Sequence, residues 1–144
     1  MAHDASRTPS RAIITSGFWR RYQALDYEQV IPYQWKALND EIEGAPKSYA
    51  VHNLKIAAGM GGGEYDGLVF QDSDLAKWIE AAGHALANAQ DDPDFPAETR
   101  RLLEQWVDQI VEIVAAAQQP DGYLNSYFVV KAPEHRWSNL RDAH

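Results

Sequence analysis

The chain has no cysteine. That excludes a disulfide scaffold and any thiolate-ligated metal built from its own residues. It also has no apolar run of the ~20 residues that a bilayer-spanning helix needs. Its start, MAHDASRTPSRAIITSGFW, lacks the apolar stretch of a secretion signal. The expectation is a cytoplasmic protein with no membrane partner. Positive charge is scarce: 13 Lys and Arg stand against 21 Asp and Glu, for a net charge of −8. A nucleic-acid or anionic-membrane partner is therefore not expected. The five histidines (His3, His52, His84, His135 and His144) show no His-Glu-x-x-His or other tight ligand spacing. The glycine-rich stretch 59–63 lacks the Gly-Lys-Ser/Thr ending of a phosphate loop and follows no clear strand, which argues against nucleotide binding. No internal repeat is visible.

What is present is helix. At 144 residues the chain has the length of about one small domain. Met1–Pro9 reads as a polar, frayed start, followed by a β-prone Ala-Ile-Ile within Arg11–Thr15. A helical reading runs from Phe18 to Asn39. Pro32 interrupts it, because proline lacks a donor and clashes with the preceding turn, so a kink or a junction of two helices is expected near Ile31. Val51–Ala58 is a short helix ended by Gly59, and 59–70 is a loop.

The next two helices are the clearest. Asp72 or Ser73 caps one that runs to about Ala89. On it Leu75, Trp78, Ile79, Ala82, Leu86 and Ala89 share a face, opposite Lys77, Glu80, His84 and Asn88. The other begins at Pro96 and runs to about Gln118. Leu103, Trp106, Val107, Ile110, Val114 and Ala117 form its stripe, opposite Arg101, Gln105, Asp108 and Glu112. The short loop between them predicts an antiparallel pair packed stripe to stripe. Tyr123–Lys131 reads as a short strand or extended loop. Helix pairs that need further pairs to cover them are what toroids and solenoids are made of.

Several residues invite a chemical reading. Asp72 and Asp74 suit an acid/base or metal pair, although helix capping explains two acids at a helix start more simply. Glu64 and Asp66 read as solvated loop. His84 pairs with Glu80 one turn away. Ser126 and Ser138 have no adjacent base and no nucleophile elbow. Tyr33 and Trp35 beside the Pro32 break form an aromatic pair, with core packing the simpler role for Trp35. The segment Gln118–Phe128, with its Pro-Asp-Gly turn and aromatic run, offers flat faces and short polar groups suited to a sugar.

In chain order, GFW, VIPYQWKALND, GLVFQDSDLAKWIEA, QQPDGYLNSYF and RWSNLRDAH together resemble the N-terminal part of glycoside hydrolase family 127, the β-L-arabinofuranosidase type. The resemblance runs from Gly17 to His144. It implies an all-α fold, the N-terminal portion of an (α/α)6 barrel, with a short N-terminal strand as an option. Residues 1–15 would form an arm and 16–144 a partial catalytic domain. It implies a retaining hydrolase of L-arabinofuranosides whose nucleophile is a zinc-held cysteine thiolate, with one glutamate among the zinc ligands and a second as acid/base. None of that machinery lies in this chain, so no cofactor is expected in it and zinc is expected in the complete enzyme. What carries over is peripheral. Gln34 matches a sugar-bonding position, and His144 matches the first residue of a sugar-touching His-Glu-Leu-Tyr helix start. Asp72, Asp74 and Tyr123 fall on rim loops. The expected partners are the carbohydrate and either the remainder of the barrel or a second chain, including a second copy. The alternative is a non-catalytic helical module that self-associates.

Overall fold

The computed structural model describes residues 13–138. Among them every regular element is helical: α1 (Gly17–Leu25), a π-helical turn (Asp26–Val30), α2 (Ile31–Leu38), α3 (Ala50–Ala57), α4 (Asp72–Ala89), α5 (Ala97–Ala117), α6 (Ser126–Val130) and a 3-10 turn (Pro133–His135). Ile13–Thr15 form no strand, and Arg11 and Ala12 lie outside the described residues.

The expected break at Pro32 takes a specific form. Two α-helices do meet there, α2 beginning at Ile31, but they join without a break through a π turn, with Pro32 in the first turn of α2. An α-helix would press the proline ring against the carbonyl four residues back. One extra residue in the turn relieves that clash while the helix continues. The indole Nε1 of Trp78 donates to the Ile31 carbonyl at this junction, 3.0 Å away, so α4 braces the irregular turn.

Trp35, on the buried face of α2, lies 4.7 Å from Trp78 on α4 and 5.6 Å from Trp106 on α5, centroid to centroid. Leu75, Leu103, Ile110, Leu54 and Val51 pack around them, and Tyr27 meets Phe95 at 4.2 Å. The α4–α5 pair forms as the two stripes demand. Ile113 and Ala85 join the buried set, while Trp106, Val107 and Leu86 are only partly covered. Two arginines hold the α4–α5 connection. Arg100 donates to the Ala89 carbonyl at the end of α4, and Arg20 on α1 makes a two-pronged bond to Asp92 at 2.5 and 3.0 Å.

Two local expectations change. The Tyr123–Lys131 segment is neither strand nor extended loop, because Ser126–Val130 forms α6. Its aromatic and β-branched residues favour a strand by propensity. The helix wins because two acceptors serve its first turn: Asn125 is a true N-cap, its side chain accepting from the Phe128 amide at 3.0 Å, and the distant Asp72 accepts from the Ser126 amide. Asp72 and Ser73 do not cap α4 either. The residue before α4 is Gln71, and no side chain caps that helix. Ser73 Oγ donates to the Phe70 carbonyl at 2.8 Å, and Asp72 is engaged elsewhere.

Candidate functional site

The chemistry-bearing residues fall into two places. The first is a groove of about 440 Å³ between the α1–α2 helix and α4. Gln34, Asp26 and Ser48 line it together with Asp74 and Lys77 of α4, and Trp78 and Ile31 contribute apolar wall. Gln34 is exposed, and among the described residues its amide makes no hydrogen bond. Asp74 is ion-paired with Lys77 at 3.1 Å, on an exposed surface where such a pair adds little stability. Burial against its neighbours raises the Asp26 carboxyl above its ordinary range. The groove thus offers an amide that can both donate and accept, a hydroxyl, carboxylates and apolar surface, which suits a polyhydroxylated ligand.

The second place is the end of the helices where two loops meet: the glycine-rich loop after α3 and the Pro-Asp-Gly loop after α5. Asp72 sits between them. Its Oδ2 accepts from the Ser126 amide at 2.5 Å and its Oδ1 accepts from the Ser126 hydroxyl at 2.6 Å. Burial raises the Asp72 carboxyl, and the Ser126 bonds only partly offset this. Tyr65 stands beside it, its phenol pushed up to about 12 first by burial and then by the Asp72 charge. Tyr123 donates to the Arg136 carbonyl at 3.2 Å, and its ring lies 4.0 Å under the Arg136 guanidinium, which pairs with Asp121.

The two acids at the start of α4 therefore do not form a pair. Asp74 faces the groove and Asp72 faces the loops, so neither a shared proton nor a shared metal follows from their closeness in sequence. Gln34 and Asp74 come together, and Asp72 and Tyr123 come together. His144 lies outside the described residues. Ser126 is buried as a bonding partner of Asp72 and not as a nucleophile. Trp35 is core. Tyr33 and Trp137 remain exposed, and His84 pairs with Glu80 at 3.9 Å on the surface.

Sequence reasoning missed Asn53. It is fully buried on α3, and its amide clamps the backbone N–H and C=O of one residue, Asp66, in the glycine-rich loop. Nδ2 donates to the Asp66 carbonyl at 2.7 Å, and Oδ1 accepts from the Asp66 amide at 3.2 Å. The available signal was an asparagine on the inward face of a short helix, between Val51 and Leu54, where a polar residue needs a partner. Tyr65, buried and donating to the Leu68 carbonyl at 2.7 Å, was missed for the same reason.

Among the described residues no group of three or more His, Cys, Asp or Glu could hold a metal ion, and the chain has no cysteine. These residues do not fit a zinc–thiolate centre.

A family model described as the β-L-arabinofuranosidase, GH127 catalytic domain, matches residues 13–144. The chain belongs to this family. It is 41% identical over 147 aligned residues to the non-reducing end β-L-arabinofuranosidase of Bifidobacterium longum subsp. longum, covering 91% of this chain and 21% of that protein. It is 47% identical to a GH127 β-L-arabinofuranosidase of Geobacillus stearothermophilus T6, whose crystal structure it matches with a TM-score of 0.81 over 94% of its own length and 20% of that chain. This GH127 chain thus spans about a fifth of the length of these relatives.

The raised Asp72 carboxyl gives a pH prediction. A group whose folded pKa lies above its unfolded value stabilises most below the unfolded value and loses that contribution as pH rises through the folded one. Asp72 should therefore contribute more at pH 4 than at pH 7. Urea midpoints of the wild type and Asp72→Asn across that range test this. The variant should gain relative to the wild type as pH rises, and a difference that does not change with pH contradicts the burial argument.

Proposed function

We propose that this GH127 chain is the N-terminal part of an (α/α)6-barrel glycoside hydrolase acting on L-arabinofuranosides, and that it supplies sugar-contacting and rim residues and no catalytic group. The observation that carries the reading is Gln34. It lies within the family match, is exposed on the groove, and among the described residues leaves its amide unbonded. An amide in that state can donate to one sugar hydroxyl and accept from another. His144 is the second proposed sugar contact, and Asp72, Asp74 and Tyr123 shape the rim. The cysteine nucleophile, its zinc and the acid/base glutamate implied by the resemblance belong to the part of the enzyme that this chain does not include.

The experiment is a chimera. The corresponding segment of the Geobacillus enzyme is replaced by this chain, and hydrolysis of a chromogenic β-L-arabinofuranoside is followed. The chimera should turn over, and Gln34→Ala within it should lower kcat/KM roughly five- to tenfold, the worth of one net hydrogen bond. The purified 144-residue chain should show no turnover. Hydrolysis by that chain alone, or an unaffected Gln34→Ala chimera, would overturn the reading.

A second reading is a non-catalytic module that self-associates. It is favoured by the apolar side chains that α1 leaves uncovered, Phe18, Trp19, Tyr22 and Leu25. Light scattering across a concentration series discriminates: a stable, folded dimer that binds no arabinofuranoside supports this second reading.

A further inference from the structure

The five-residue α6 is too short to hold itself, since isolated helices below ~12 residues are marginal. Its first amide has no partner within the helix, and it is Asp72, 54 positions earlier in the chain, that accepts from it. The same carboxylate accepts from the Ser126 hydroxyl. Nearby contacts cross the same boundary. Asn125 Nδ2 donates to the Val69 carbonyl at 3.5 Å, the Tyr65 and Tyr127 rings meet edge to face at 5.2 Å, and the Lys131 ammonium lies over Tyr65. Each loop is also tied internally. On one side Asn53 clamps Asp66, and Gln71 Oε1 accepts from the Leu68 amide. On the other the Gln119 amide donates to the Tyr123 carbonyl, and Asp121 Oδ1 accepts from the Tyr123 amide. Two internally braced loops thus meet around Asp72, whose two short bonds to Ser126 are the closest of these contacts between them.

We propose that Asp72 is a positioning residue that joins the glycine-rich loop 59–71 to the Pro-Asp-Gly loop 118–125, so that the two behave as one rigid rim. Serving a sugar site rests on the function proposed above; the joining itself does not. The rim then has a fixed shape before any ligand arrives, which removes the ordering cost that mobile loops add to binding. Asp72 acts through Ser126 and needs no contact with substrate. A cap acting on α6 alone would order the second loop only. A joint must order both.

Hydrogen exchange followed by mass spectrometry on the full 144-residue chain separates these cases, and no sugar is needed, so failure here is distinct from failure of the enzymatic reading. Asp72→Ala should speed exchange at least about tenfold in both 60–71 and 119–131, the expected loss for a charged acceptor, while α5 stays protected. Asp72→Asn should restore most of the protection, because its one side-chain oxygen can take the place of Asp72 Oδ2 and accept from the Ser126 amide, while its NH2 faces the Ser126 hydroxyl oxygen and donates to it. Faster exchange in 119–131 alone, no change in either segment, or an Asn variant that behaves like Ala would each overturn the proposal. Where Asp72→Ala does not fold, Ser126→Ala takes its place. It removes the hydroxyl bond and keeps the amide bond, so it should speed both segments by a smaller factor, and an unchanged profile would overturn the joint.

Discussion

Replacing Trp35 with alanine is expected to lower the stability of the chain by about 3–5 kcal/mol, the range for a buried large aromatic truncated to a methyl. Trp35 is 5% exposed, and its indole is where α2, α4 and α5 meet. The neighbouring rings are themselves held, Trp78 by its bond to the Ile31 carbonyl, so they cannot swing in to fill the space. The loss should also reach the π turn, because the same bond braces it. Urea denaturation followed by circular dichroism checks this, with Tyr33→Ala as the control. Tyr33 is two positions from Trp35 in sequence but is exposed, and its loss should cost within about 0.5 kcal/mol. A Trp35→Ala variant as stable as that control would mean that the three-indole cluster does not hold the helices together.

Replacing Asn53 with alanine is expected to cost about 2–4 kcal/mol, from two hydrogen bonds lost and the Asp66 peptide groups left without their protein partner. The effect should be local as well as global. The Asp66 amide should exchange faster, and limited proteolysis should cut within 59–71 before any helix. Asn53→Asp is the informative companion. It keeps one acceptor for the Asp66 amide but sets a carboxylate against the Asp66 carbonyl, so it should be no better than alanine at neutral pH. An Asn53→Asp variant as stable as the wild type would contradict the clamp.

How much of this was legible beforehand follows from where each signal resides. The α4 and α5 helices could be read from periodicity, because their apolar stripes repeat over 18 and 21 residues. The glycine that ends α3 was legible because Gly59 adopts a left-handed conformation, φ 68°, that other residues resist. Pro32 signalled a disturbance but not its kind, since a kink and a π turn both relieve the same clash. At the site, Gln34 and Asp74 were legible as separate candidates. That they face one groove while Asp72, two residues from Asp74, faces another place depends on helix phase and on which neighbours arrive.

The sequence by itself determined the helical class, the two long amphipathic helices, the lack of any thiol among its own side chains and, through its motifs, the membership in the GH127 family. Each of these is set by composition or by residues close along the chain. Only the tertiary structure decided that α6 is a helix, that Asp72 bonds Ser126 instead of capping α4, that Asn53 clamps Asp66, and that Trp35 joins Trp78 and Trp106. The Asp72, Asn53 and Trp35 contacts join residues 13 to 71 positions apart, and α6 depends on one of them, Asp72 with Ser126. A local pattern cannot encode such a contact, because its energy appears only when packing brings the two partners out of water together.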